Sequence, residues 1–224
     1  MPNQFDCFQQ VVNDRYSCRA FLNQPVPFED QQNIFALANQ APSNCNTQPW
    51  DVHVASGEII EKLRLALPKA INEGSYGMDF DYNGLYEGVF KERQKAAAIA
   101  LFQSMHIDRH DKKGRDEAFL RNFIFFDAPH VAFIFLPEGF SIREACDLGM
   151  YIQTLLLSMS AYGVQSCPQT SLSFNAPLVK SILNLDNSPQ LMLGIAFGYE
   201  DKTAPQNQFR TKRALTADVV TFHT

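Results

Sequence analysis

The chain has 224 residues, enough to bury a full core, and its 46% hydrophobic and 19% charged residues are typical of an ordinary globular protein. Its net charge of −5 argues against non-specific binding to nucleic acid or to acidic membranes. The N-terminus lacks the basic start and apolar run of a signal peptide, and the apolar runs are too short to span a bilayer, so we expect a cytoplasmic protein.

Periodicity predicts mainly helices in the first part of the chain. Apolar residues at helical spacing indicate one helix from Phe5 to Asp14 and another from Phe28 to Gln40. Trp50–Ala55 alternates like a half-buried strand. A helix over Glu58–Leu67 follows, and Pro68 is expected to end it.

Helices also dominate the middle of the chain. We expect an irregular loop over residues 72–84, a long helix over 85–107, a turn at the DKKG sequence and a helix over 115–123. Neither a disulfide framework nor a zinc site is indicated, because the five cysteines are odd in number and form no CxxC pair. His106 and His110 have the spacing of a metal pair on a helix, but their solvated surroundings favour a helix end without metal.

The last part of the chain alternates between strands and helices. Val131–Leu136 is apolar throughout and therefore predicts a central strand. Ser141 begins a long helix with a capping box, Asn175 caps a later one, and strands are expected over 164–167 and 190–198. The sequence predicts one α+β domain over residues 1–224 with a central sheet, and a strand-like tail, ADVVTFHT, that has no obvious partner in its own chain.

Alternating polar residues near the N-terminus could bind an anion. Arg15, Ser17 and Arg19 would share one face of an extended segment, and guanidinium forks with a hydroxyl suit a phosphate. Taken alone, however, this triplet fits an exposed loop with surface arginines better. A second basic set, Arg210 and Arg213 with Lys212 between them, could either be solvated or converge with Arg15 on one phosphate.

Two loops offer further hydrogen-bonding groups. Asn44, Asn46 and Gln48 lie on a stiff loop bracketed by prolines, where amides could read the edge of a polar heterocycle or could only cap their own turn. The segment from Pro168 to Ser171 is a rigid turn after a strand and is rich in donors.

The order and spacing of these blocks carry a family resemblance. RYSCRAF, APSNCNTQPW, APHVAFIFL, AYGVQSCPQ, GIAFGYED and NQFRTKR follow one another along the chain. This series resembles the FMN-dependent nitroreductase family over nearly the whole chain, and APSNCNTQPW is its most specific part. An insertion between Pro68 and Phe126 is similar to that of the branch containing nitrobenzoate reductases.

The resemblance implies an intertwined homodimer with a mainly antiparallel sheet flanked by helices, two FMN sites at the subunit interface, and a C-terminal strand that crosses to the partner's sheet. Residues of about 68–126 would form lid helices, with Phe and Tyr side chains between Tyr76 and Met105 above the flavin. One subunit would hold FMN with Arg15, Tyr16, Ser17, Arg19, Arg210 and Arg213. Pro42, Ser43, Asn44 and Asn46 would reach in from the partner, and Pro168, Gln169 and Thr170 would pass along the flavin ring near N5.

The implied function is hydride transfer from NAD(P)H through flavin N5 to a nitroaromatic or quinone-type acceptor in a ping-pong cycle. The flavin carries the chemistry, so no side chain is assigned as catalytic, although Arg19 would stabilise the reduced flavin. Alternatives are a dehalogenase, a flavin-cleaving enzyme or an azoline oxidase on the same scaffold, a flavin-binding protein without turnover, and a helical protein without cofactor.

Overall fold

The computed structural model describes residues 3–224, which form seven α-helices and four strands. The helices are α1 (Gln4–Asp14), α2 (Phe28–Ala38), α3 (Gly57–Asn72), α4 (Gly88–Ser104), α5 (Lys112–Leu120), α6 (Ile142–Ala161) and α7 (Ala176–Leu183). The strands are β1 (Asp51–Ser56), β2 (His130–Leu136), β3 (Gln165–Gln169) and β4 (Gln190–Gly198).

The strands form one sheet in the order β1-β2-β4-β3, and every neighbouring pair is antiparallel. This confirms the expected α+β fold with an antiparallel central sheet. The apolar strand β2 lies inside the sheet and is buried along its whole length, as its composition predicts.

Side chains of β2 alternate between two hydrophobic layers, because successive residues of a strand point to opposite faces. Val131, Phe133 and Phe135 pack on one face with α3 and α7. The intervening residues, such as Ile134, pack on the other face with α2 and α6. Helices therefore cover both faces of the sheet.

Helix α3 runs through Pro68, so the prediction that this proline ends the helix is wrong. A proline inside a helix loses one backbone hydrogen bond and costs about 3 kcal/mol. Leu67 and Ile71 on both sides of Pro68 are buried in the core. Burial of such side chains contributes roughly 1.5–3 kcal/mol each, which offsets the proline.

The DKKG sequence begins a helix instead of forming a separate turn. The side chain of Asp111 accepts a hydrogen bond from the backbone N–H of Gly114 at 2.8 Å and so caps α5, which starts earlier than predicted.

Helix α4 ends at Ser104, so His106 and His110 lie in the connection between α4 and α5 and not on one helix face. Within residues 3–224, no cluster of three or more His, Cys, Asp or Glu side chains could hold a metal ion.

A buried ion pair fixes the long connection between α3 and α4. The Lys180 ammonium lies 2.9 Å from Asp79 Oδ2, and that oxygen also accepts the backbone N–H of Leu191 at 2.7 Å. The connection is therefore anchored to α7 and β4 at Asp79, although it has no regular structure of its own.

The C-terminal tail has one short 3-10 turn, Thr216–Asp218, and no strand of its own chain pairs with it in the described residues. Its apolar side chains, including Val219 and Phe222, are exposed. The crossing of this tail to a second subunit stays a prediction.

No helix found in residues 3–224 combines the length and apolar character needed to cross a bilayer.

Candidate functional site

The RYSCR segment lies extended beside strand β3. Ser17 pairs with Ser166 in a parallel bridge, and the backbone N–H of Cys18 donates to the Ser166 carbonyl at 3.0 Å. Burial alternates along the segment: Tyr16 and Cys18 are buried, whereas Arg15, Ser17 and Arg19 are half-buried. The three polar side chains therefore lie on the more open face, as the extended geometry predicts.

A cavity of about 540 Å³ lies at this open face. The described residues that line it come from the end of α1, the extended segment, α6 and the C-terminal region: Val12, Asn13, Arg15, Tyr16, Ser17, Arg19, Gln153, Phe209, Arg210, Thr211 and Arg213. The structure thus brings together the two basic sets that are almost a whole chain length apart in sequence.

The cavity carries four arginines and no acidic lining residue among those described. Burial, and next the adjacent Arg213 guanidinium, lower the pKa of Arg15. Two like charges held this close are stabilised when an anion lies between them, and guanidinium forks match phosphate oxygens. The donor set therefore fits a phosphate-bearing ligand.

Asn207 joins the two walls of the cavity. Its buried side chain accepts the backbone N–H of Arg19 at 2.8 Å and donates to the carbonyls of Ala20 and Asp201, both at 2.9 Å. No sequence signal identifies Asn207, because an asparagine in a polar loop has no feature that distinguishes a structural anchor from an ordinary turn residue.

Tyr16 lines the cavity mainly as a support for Arg210. Its hydroxyl donates to Glu200 Oε1 at 2.5 Å, and the Arg210 guanidinium carbon lies 3.5 Å from the centre of the Tyr16 ring. Burial, followed by the hydrogen bond with Glu200, raises the pKa of Tyr16. The neutral ring therefore holds Arg210 by a cation–π contact.

The amide loop does not reach the cavity of its own chain. Asn44–Asn46 form a 3-10 turn in which Cys45 and Asn46 have positive φ, and the Ser43 hydroxyl accepts the backbone N–H of Gln48 at 2.9 Å. The backbone N–H of Asn44 donates to the buried Asp147 of α6 at 3.0 Å. Pro42, Asn44 and Asn46 are exposed, and no residue of this loop is among the lining residues described.

The turn after β3 is fixed by hydrogen bonds of the buried Gln169 side chain. The Gln169 amide nitrogen donates to the backbone carbonyl of Asn122 at 2.9 Å, and the side chain of Gln169 is buried. Its Oε1 has no hydrogen-bond partner among residues 3–224. The side chain of Gln169 thus points inward, whereas Thr170 is exposed and Pro168 is half-buried at the surface. Sequence reasoning also missed Asn122, whose contact depends on a turn 47 residues away.

Comparison with known proteins identifies the chain's relatives. The Nitroreductase family model matches residues 12–199. The chain belongs to the nitroreductase family. It is 40% identical to nitroreductase NfnB of Mycolicibacterium smegmatis over 96% of this chain and 92% of the relative. It is 34% identical to a 4-nitrobenzoate reductase of Pseudomonas putida over 94% of this chain and 92% of that protein. The resemblance to the nitrobenzoate-reductase branch is therefore confirmed.

A solved structure gives the same result for the fold. The FMN-dependent nitroreductase NfnB from Mycobacterium smegmatis, in complex with NADPH, superimposes with a TM-score of 0.96 at 38% identity, covering 99% of this chain and 100% of that one. The match to the nitroreductase family model includes the RYSCR segment, the amide loop and the turn after β3, but ends before Arg210. Arg210 and Arg213, which the sequence proposes for the site, lie outside the matched range, and it is the cavity lining that brings them together with Arg15 and Arg19.

Proposed function

We propose that this nitroreductase binds FMN in the arginine-lined cavity and uses NADPH to reduce nitroaromatic or quinone-type acceptors. The observation that carries the proposal is the convergence of Arg15, Arg19, Arg210 and Arg213 in one cavity without a lining acid among the described residues. The FMN-dependent relative that was solved with NADPH supports the choice of cofactor and reductant.

The arginines divide into two roles. Arg15 and Arg213, whose charges interact directly, would hold the FMN phosphate, with the Ser17 hydroxyl as an additional donor. Arg19 donates to the Ser17 carbonyl at 3.2 Å and lies 5.9 Å from the centre of the Phe209 ring. These contacts hold its guanidinium at the cavity wall, and there it would stabilise negative charge on the flavin ring.

FMN, when bound, supplies the hydride-accepting and hydride-donating N5 atom. The protein then needs no nucleophile of its own. The two thiols near the cavity are unsuited to that role, because burial raises the pKa of Cys18 to about 11 and that of Cys167 to about 12. Exchange of NADPH and acceptor at one site would give ping-pong kinetics, seen as parallel lines in double-reciprocal plots.

A second copy of the chain would complete the site. Helix α1 buries none of its residues within one chain, and Phe5 and Phe8 on it are exposed. The tail exposes Phe222 as well. Exposed aromatic side chains in such number are typical of a subunit interface. In the proposed homodimer the amide loop reaches the partner's cavity, and the tail adds a strand to the partner's sheet, which would satisfy its backbone hydrogen bonds.

Anaerobic addition of NADPH to the FMN-loaded protein tests this function. We expect the flavin absorption near the visible maximum to bleach rapidly and to return when a nitrobenzoate or a quinone is added. Failure to take up FMN would contradict the cofactor assignment. A yellow protein that bleaches with neither NADPH nor NADH would instead be a flavin-binding protein without this activity.

A further inference from the structure

Helix α4 and the C-terminal segment enclose a groove to which the proposed FMN site assigns no ligand. No residue of α4 is buried, yet one face of the helix turns toward the C-terminal segment. The space between them is a groove of about 1050 Å³. Small side chains, Ala96, Ala97 and Ala100, form much of the helical wall, and residues from Arg210 to Val219 form the opposite wall.

The groove is basic although the whole chain is acidic. Its lining contains Arg93, Arg210, Lys212 and Arg213, against one described acidic residue, Asp218. The carboxylate of Asp218 already accepts the backbone N–H of Leu215 at 3.2 Å. Such a local excess of positive charge in a protein of net charge −5 favours an anionic occupant.

The groove adjoins the flavin cavity. Arg210, Thr211 and Arg213 line both, so the two spaces meet at one short segment. The Arg210 guanidinium already stacks on the Tyr16 ring and donates a hydrogen bond to the Asn207 carbonyl at 2.8 Å. By contrast, Arg93 and Lys212 belong to none of the ion pairs found within residues 3–224 and line only the groove.

We propose that this groove binds the adenosine 2′-phosphate end of NADPH, with Arg93 and Lys212 as the phosphate ligands. The proposal rests on the function proposed above, in which the cavity arginines hold the phosphate of FMN. NADPH differs from NADH by one phosphate, and two cations outside the ion pairs described above can select it: Lys212, and Arg93, whose guanidinium carbon lies 5.9 Å from the centre of the Phe90 ring. The alanines of α4 let a flat adenine ring approach the helix closely. This assigns a role in nucleotide selection to the insertion between Pro68 and Phe126.

Steady-state kinetics of the FMN-loaded enzyme with the two nucleotides test the proposal. Arg93→Ala combined with Lys212→Ala should lower kcat/KM for NADPH by roughly ten- to a hundred-fold, because two charge-assisted contacts are lost. The kcat/KM for NADH and the FMN occupancy should stay unchanged. Lys91→Ala is the matched control, since it removes a cation from the same helix outside the groove lining.

A direct binding measurement separates failure of this proposal from failure of the proposed function. Adenosine 2′,5′-bisphosphate should bind the wild-type protein in calorimetry and bind the double variant much more weakly, whether or not either nucleotide bleaches the flavin. Equal affinity for both proteins would overturn the proposal. An equal loss with NADPH and NADH, together with weaker dimerisation in sedimentation experiments, would overturn it too and would assign the groove to a subunit contact.

Discussion

The two faces of the central sheet and the segments around the candidate site are built in opposite ways. Strand β2 is buried along its whole length between two helix layers of its own chain. Helices α1 and α4 bury no residue, and the amide loop and the tail are largely exposed. A single chain therefore completes its core, whereas the segments around the candidate site leave their side chains exposed in the single chain.

This contrast separates stability from function. Substitutions in the sheet and its anchors should change the free energy of unfolding, and substitutions at the arginine-lined cavity should change ligand affinity while the protein stays folded.

The largest effect is expected at the buried ion pair. Lys180→Ala removes the buried ammonium and leaves the half-buried Asp79 carboxylate without its partner, which should lower the free energy of unfolding by about 3–5 kcal/mol. Urea denaturation measures this loss. Lys69→Ala breaks an exposed pair with Glu73 at 4.0 Å and should cost under about 1 kcal/mol. Similar losses in both variants would show that the connection after α3 is not anchored as described.

Acid should weaken the core at His130. Burial lowers the pKa of His130 to about 4; its Nε2 accepts the backbone N–H of Val26 at 2.9 Å. The unfolded state takes up a proton near pH 6.5 and the folded state does not, so stability is lost as the pH falls from about 6.5 to 4. The loss attributable to this group is roughly 3 kcal/mol, since each pKa unit corresponds to about 1.4 kcal/mol.

Denaturation curves collected across this pH range check the assignment. His130→Phe removes the titrating group, so the variant should lose less stability than the wild type between those pH values, even if it is less stable at neutral pH. Parallel pH profiles for the two proteins would mean that other groups cause the acid sensitivity.

A substitution in the arginine-lined cavity should change the affinity for FMN but not the stability of the fold. Arg213→Ala removes a charge-assisted contact and should weaken FMN binding by about 1.5–3 kcal/mol, or roughly ten- to a hundred-fold, without a comparable change in unfolding. Fluorescence titration with FMN measures this. Lys202→Ala is a control in the same region, because Lys202 is exposed and lies outside the cavity lining. An unchanged FMN affinity would show that the phosphate is placed wrongly.

The sequence predicts the sheet and its helices well, since their signals are local. The apolar run of β2, the capping box at Ser141 and Glu144 and the cap at Asn175 all appear where expected. Errors occur where tertiary contacts override local propensity, as when the burial of Leu67 and Ile71 carries α3 through Pro68. No local pattern contains that information.

The site is predicted less completely. Alternation along RYSCR correctly places three polar side chains on one face, but spacing cannot show that Arg213 lies next to Arg15. Asn207 ties the start of the C-terminal region to the backbone of Arg19, and no spacing predicts this contact. The anchors of the site are hydrogen bonds between distant segments, and these leave no periodic trace in the sequence.

Subunit complementation tests most directly whether each site is shared between two chains. The arginine variant would carry Arg15→Ala and Arg213→Ala. The loop variant would carry Asn44→Ala and Asn46→Gly, with glycine at the second position because Asn46 has positive φ. Each variant alone should bind FMN poorly. A mixed dimer, purified by two different tags, contains one cavity with intact arginines facing one intact loop, so we expect about half of the wild-type FMN content. If the mixed dimer binds no more FMN than its parents, or if the loop variant alone binds normally, the site is not built from two subunits.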